Sequence, residues 1–183
     1  MPAIKLPDNR ETRKASIAMI GKWKQQMMEK IAMDDQIAKL LWYDTSDALS
    51  RPDLTDDQKA ELCDPTSDHR RIYPTRYTNS VAMEQHSFVG LGISGFVPQE
   101  SYRQFSSKYT MGYLYFFILC DNKIMDIDEG QRHDFLLKRI YELFQDTTGF
   151  GMGTLQEGNL MEDWEQNNKF GGYVLMMKVI DMK

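Results

Sequence analysis

The sequence predicts an α+β fold: a mostly antiparallel β-sheet packed by α-helices. Three observations carry this reading. The apolar segment Tyr109–Cys120 suits the centre of a sheet, the amphipathic segment Gly130–Gln145 follows it with a helical period, and a glycine-rich connector then leads to a last apolar segment, Gly172–Met182. The order is strand, helix, strand, strand.

Residues 1–9 contain Pro2 and Pro7 and read as an extended arm. From Arg10 to Met33, the residues Ile17, Ile20, Trp23, Met27 or Met28, and Ile31 recur at steps of three and four. They draw one apolar stripe along a helix whose other side carries Lys14, Lys22, Lys24 and Glu29. The apolar piece Ile37–Tyr43 is too short for its period to separate helix from strand.

Residues 44–80 are broken by Pro52, Pro65 and Pro74. Only Thr55–Leu62 shows a capping pattern, with Thr55 three residues before Gln58. A connection this long is either a binding segment or a surface loop. With Trp42, Tyr43, Ile72 and Tyr73 as apolar anchors at its ends, we expect a contact arm that has little core of its own and orders on assembly.

After His86, Val89, Leu91 and Ile93 alternate with Gly90, Gly92 and Ser94, so one side of this strand is aliphatic and the other admits a close neighbour. In the strand from Tyr109, Met111, Tyr113, Tyr115, Phe117 and Leu119 share one face, and Leu114, Phe116, Ile118 and Cys120 the other. Both faces need cover. Gly130–Gln145 supplies one, through Leu136 or Leu137, Ile140, and Leu143 or Phe144, with Asp134, Lys138 and Glu142 outside. The second cover is either the N-terminal helix or another subunit.

We therefore expect one domain over 1–183: an arm and helix (1–43), a long contact arm (44–80), and the sheet with its packing helix (81–183). A chain of 183 residues can bury roughly 70% of its unfolded surface. A net charge of -5 opposes a surface built to neutralise phosphates, leaving room only for a local basic ring. The two cysteines, Cys63 and Cys120, do not suggest a disulfide framework. The first residues lack the apolar stretch of a signal peptide and no run has membrane-spanning length, so we expect a protein made and kept in a reducing cytoplasm, or released by cell lysis, and no membrane partner.

Candidate chemistry is sparse. Gly149, Gly151 and Gly153 follow a helix instead of opening one, which suits helix termination better than a phosphate loop. Asp121, Asp126, Asp128 and Glu129 are crowded, but from Asp126 a calcium-loop glycine falls one place early and the twelfth residue is Leu137. Asp128 and Glu129 are expected at the helix N-terminus, where their charge offsets the macrodipole. A nuclease using Asp121, Asp126 and Asp128 has only Lys123 nearby in its favour. His69, His86 and His133 are scattered, and Cys63 near His69 lacks an orienting third group. We expect no catalytic, cofactor-binding or metal-ligating residues, no cofactor and no enzymatic activity.

Over residues 72–183 the chain resembles the neck and tail-terminator proteins of tailed bacteriophages. The resemblance lies in the strand Tyr113–Leu119 and in Arg132-His133-Asp134 opening the helix Phe135–Phe144. It continues through Phe150-Gly151-Met152-Gly153 to Gly171-Gly172-Tyr173-Val174-Leu175, which runs into Ile180-Asp181. It implies a structural virion protein whose copies, six by expectation, close into a ring at the head–tail junction. That ring would terminate the tail tube and join it to the head connector while DNA passes through without sequence-specific contact. A head-completion or neck adaptor ring is the alternative within the resemblance, and a metal-dependent nuclease the alternative outside it.

Overall fold

The computed structural model describes residues 9–76, 85–98, 109–148, 154–165 and 169–182. The expected arm at 1–8, the end of the contact arm at 77–80 and the Gly149, Gly151 and Gly153 turn lie outside the described residues. In chain order the elements are α1 (Asn9–Ala32), α2 (Asp35–Trp42), a 3₁₀ turn (Ala48–Ser50), α3 (Asp56–Glu61), β1 (Ile72–Tyr73), β2 (Ser87–Pro98) and β3 (Tyr109–Asp121). A small hairpin follows, β4 (Asp126–Ile127) with β5 (Gly130–Gln131), then α4 (Arg132–Phe144), β6 (Thr154–Glu165) and β7 (Phe170–Met182).

The sheet runs β1-β2-β3-β7-β6, with β3 at its centre as the sequence predicts. Every pairing is antiparallel except β1 with β2. β3 pairs with β7 over its whole length, from Tyr109 opposite Met182 to Asp121 opposite Phe170. The fold is α+β, mostly antiparallel, with the helices on one face.

Side-chain alternation divides the apolar residues. Val89, Leu91, Leu114, Phe116, Ile118, Leu175 and Met177 face the helices, where they form one buried cluster with Trp23, Met27 and Ile31 of α1, Ile37 and Leu40 of α2, and Leu136, Ile140 and Phe144 of α4. The N-terminal helix thus shares the face that α4 covers and is not the cover for the other side. Adjacent Met176 and Met177 point to opposite faces; Met177 is buried and Met176 half-buried.

The helices form where local pattern and caps agree. In α2, Asp34 accepts from the Ile37 N–H at 3.0 Å, and Ile37, Leu40 and Leu41 are buried, which settles Ile37–Tyr43 as helix. The expected capping box forms at α3: the Thr55 hydroxyl accepts from Gln58 N–H, and the Gln58 side chain accepts from Thr55 N–H at 3.0 Å. The stripe of α4 is Leu136, Ile140 and Phe144, all fully buried. Ile140→Ala should cost about 2–5 kcal/mol by leaving a cavity. Lys138→Ala, which removes only an exposed partner 4.0 Å from Glu142, should cost under about 1 kcal/mol. Denaturant unfolding of the two variants measures the contrast.

Two expectations need correction. Asp128 and Glu129 do not sit at the helix N-terminus. They form the turn between β4 and β5, the cap position is Gln131, and the first-turn acid of α4 is Asp134. A hairpin inserted between β3 and α4 shifts the helix start to Arg132. The described part of the contact arm, 44–76, is also not a segment with little core of its own. It contains a 3₁₀ turn, α3 and β1, and it buries Ala48, Leu54, Leu62 and Ile72 in the main cluster. Its prolines punctuate short elements that were too brief for periodicity to reveal.

Candidate functional site

The sheet face turned away from the helices is the most distinctive surface. Phe88, Leu119, Phe170 and Tyr73 close its end near β1 as a second buried cluster. The chain leaving β1 then crosses over β2 at Gly90, where a Cβ would meet the carbonyl oxygens of Arg76 and Thr75. The glycine side of this strand does admit a close neighbour, as the alternation of glycines predicts. Arg76 continues the crossing: its guanidinium lies 5.3 Å from the centre of the Phe117 ring and pairs with Asp163 of β6 at 3.0 Å.

Beyond this strap, aromatic rings form the surface. Tyr115 and Phe117 stack with centroids 6.2 Å apart and planes 13° from parallel. Gly92 leaves the space that the Phe117 ring fills, since a Cβ there would lie 2.9 Å from it. The Ser94 hydroxyl bonds the Tyr115 hydroxyl at 3.2 Å. Tyr113, Tyr115, Phe117 and Met176 are half-buried, and Met161 is 47% exposed. Among the described residues no helix packs on this face.

The sequence candidates for chemistry are not brought together. Asp121 is buried at the end of β3, where its carboxylate accepts from Lys123 N–H at 2.9 Å and lies 3.7 Å from Lys169 Nζ. Asp126 and Asp128 are exposed in the hairpin. Among the described residues no three His, Cys, Asp or Glu side chains are grouped as metal ligands. The Cys63 thiol donates to the Met28 carbonyl at 3.5 Å and burial pushes its pKa up to about 12, whereas His69 stacks on Trp42 at 4.1 Å. A thiol so reluctant to ionise is a poor nucleophile.

Two polar sites escaped the sequence reading because their partners are remote in the chain. His86 Nδ1 lies 2.7 Å from Asp44 Oδ2. Arg132, fully buried, donates to the carbonyls of Ile124 at 2.9 Å, Leu40 at 2.7 Å, Tyr43 at 2.6 Å and Thr45 at 2.8 Å. Leu40 and Tyr43 lie at the carboxyl end of α2, whose unpaired carbonyls and negative dipole end receive the cation. That offsets the opposite cost of placing Arg132 at the positive end of α4. Burial still lowers its affinity for a proton.

His133, next in sequence, is buried beside Tyr173 with ring centroids 5.1 Å apart. Burial holds its pKa below the usual 6.5, outweighing the upward pull of Asp134, Glu162 and Asp126. The folded chain therefore binds this proton less readily than the unfolded chain, and the stability it contributes is lost as pH falls below about 6.5. In urea unfolding at pH 7 and pH 5, His133→Gln should show a smaller acid-induced loss than the parent chain.

Fold and surface together define an α+β protein with a one-sided helical layer and an aromatic second sheet face. The model of the protein family YomW matches residues 34–179, and the chain belongs to this family, a phage-derived one named after a Bacillus prophage gene. No curated protein and no solved structure matches the chain. No helix among the described residues is long and apolar enough to cross a membrane.

Proposed function

We propose that the chain is a structural virion protein of a tailed bacteriophage, assembling as a ring of six at the head–tail junction. The ring terminates the tail tube, joins it to the head connector and lets DNA pass. The observation that carries this reading is the aromatic sheet face of Tyr113, Tyr115, Phe117 and Met161, on which no helix packs among the described residues, in a chain of a phage-derived family. An apolar surface of that kind is characteristic of a face that meets another subunit. The net charge of -5 suits a lumen through which DNA slides without being gripped. Of the side chains proposed for a nuclease, Asp121 is held within the fold, its Oδ1 accepting from Lys123 N–H and its Oδ2 3.7 Å from Lys169 Nζ.

Removing the gene from its phage tests the reading. A tube that loses its terminator keeps adding rings, so overlong tails detached from heads are expected. Normal-length tails beside unjoined heads would assign the ring to a neck adaptor instead. Normal infectious particles, or metal-dependent DNA cleavage by the purified chain, would overturn the proposal.

A further inference from the structure

Two apolar surfaces lie on opposite sides of the sheet, and each carries an excess of one sign of charge. The face on which no helix packs among the described residues presents Tyr113, Tyr115 and Phe117 of β3, Met176 of β7 and Met161 of β6, the last 47% exposed. Its charged side chains among the described residues are Lys178, opposite Tyr113 and Gln156, and the paired Arg76 and Asp163. Lys178 is half-buried and has no ion-pair partner among the described residues, so one positive charge on this face is uncompensated.

On the helix side, α4 and β6 do not close against each other, leaving a groove of about 310 Å³ lined by Leu137, Tyr141, Leu160 and Leu175. Leu160 stands opposite Leu175 and is 43% exposed. The rim of this groove is acidic. Glu162, two places along the strand and so on the same side, is exposed and stands opposite Tyr173, whose hydroxyl donates to Asp134 of α4 at 2.8 Å. Against these two carboxylates stands only Lys138, itself 4.0 Å from Glu142.

We infer that the aromatic face of one copy packs on the α4–β6 groove of the next copy. Charge selects this pairing over its rivals. Two aromatic faces in contact would set Lys178 against a second Lys178, and two grooves would set Glu162 and Asp134 against a second acidic rim, whereas the cross pairing brings opposite charges together. The apolar parts agree, because Met161 and Met176 are unbranched and adapt to an irregular groove. Since the two surfaces lie on opposite sides of the sheet, the contact is head-to-tail, and a head-to-tail contact repeated with a closing rotation gives a ring. The inference rests on the ring reading of the proposed function and names the interface that makes the ring.

The test is the native mass of the full chain across a dilution series, alone and with isolated tail tubes, for the parent, Lys178→Glu, Glu162→Lys and the double variant. The parent should have the ring mass. Each single reversal should raise the concentration midpoint of assembly about tenfold or more while keeping the parent's circular dichroism. The double variant, which restores opposite charges across every contact, should regain the parent's midpoint, as should an equal mixture of the two single variants. If a reversal alters the circular dichroism, Lys178→Ala or Glu162→Gln takes its place. A ring that persists unchanged in either single variant, or a double variant weaker than both, overturns this interface and leaves the ring reading intact. A parent of monomer or dimer mass under both conditions overturns the ring reading and the interface with it.

Discussion

Arg132→Ala should be the most damaging single substitution in the chain, costing at least about 3–5 kcal/mol. The side chain is fully buried and donates to four carbonyls from three separate stretches: Leu40 and Tyr43 at the carboxyl end of α2, Thr45 in the turn that follows, and Ile124 before the hairpin. Truncation leaves the oxygens of Leu40, Tyr43 and Ile124 facing a cavity without that donor, while Thr45 keeps the Ala48 N–H at 3.3 Å, and each unsatisfied buried acceptor costs about 1–3 kcal/mol. Set against a total stability of about 5–15 kcal/mol, the loss is enough to leave much of the chain unfolded. Arg132→Lys should recover little, because a single ammonium cannot reproduce the forked donors that reach four acceptors in different directions. Denaturant unfolding of both variants checks this, and a loss under about 1 kcal/mol for the alanine variant would mean that the carbonyls find other donors.

Phe116→Ala should follow closely, at about 3–5 kcal/mol. Phe116 is fully buried at the centre of the central strand, between Leu91 of β2 and Leu175 of β7, and its ring lies 4.8 Å from that of Phe144 on α4. The substitution opens a cavity where sheet and helix layer meet, in a close-packed core that collapses only in part. Tyr115→Ala, one residue away on the other face, removes a half-buried ring and should cost less. The difference between these two neighbours in unfolding free energy reads out directly which sheet face the helices cover.

What the sequence disclosed follows from the length scale of each signal. The central strand was legible because thirteen residues alternate two apolar sets, and α1 and α4 because three or more stripe residues repeat at helical spacing. The run Ile37–Tyr43 was ambiguous because seven residues span about two helical turns, and burial of Ile37, Leu40 and Leu41 resolved it. A two-residue strand such as Ile72–Tyr73 has no period to read, since it exists only through its pairing with Val89 and Gly90. The misplacement of Asp128 and Glu129 has the same origin: a hairpin of two-residue strands is invisible to pattern and moved the helix start.

The polar sites were illegible for a different reason. The acceptors of Arg132 at Leu40, Tyr43 and Thr45 lie 92, 89 and 87 residues away, and they are backbone atoms that carry no residue-type signal. The aromatic sheet face was legible as a set of residues, but that no helix covers it among the described residues required knowing that α1 joins α4 on the same side. That fact turned one of the two open choices for the second cover into the ring proposal.

The most direct measurement of that proposal is the native mass of the purified chain, with particle images from the same sample, free and in the presence of tail tubes. The account predicts six subunits per particle and a ring with a central opening. Single copies in both conditions, with Tyr113, Tyr115 and Phe117 still giving a well-behaved monomer, would contradict it.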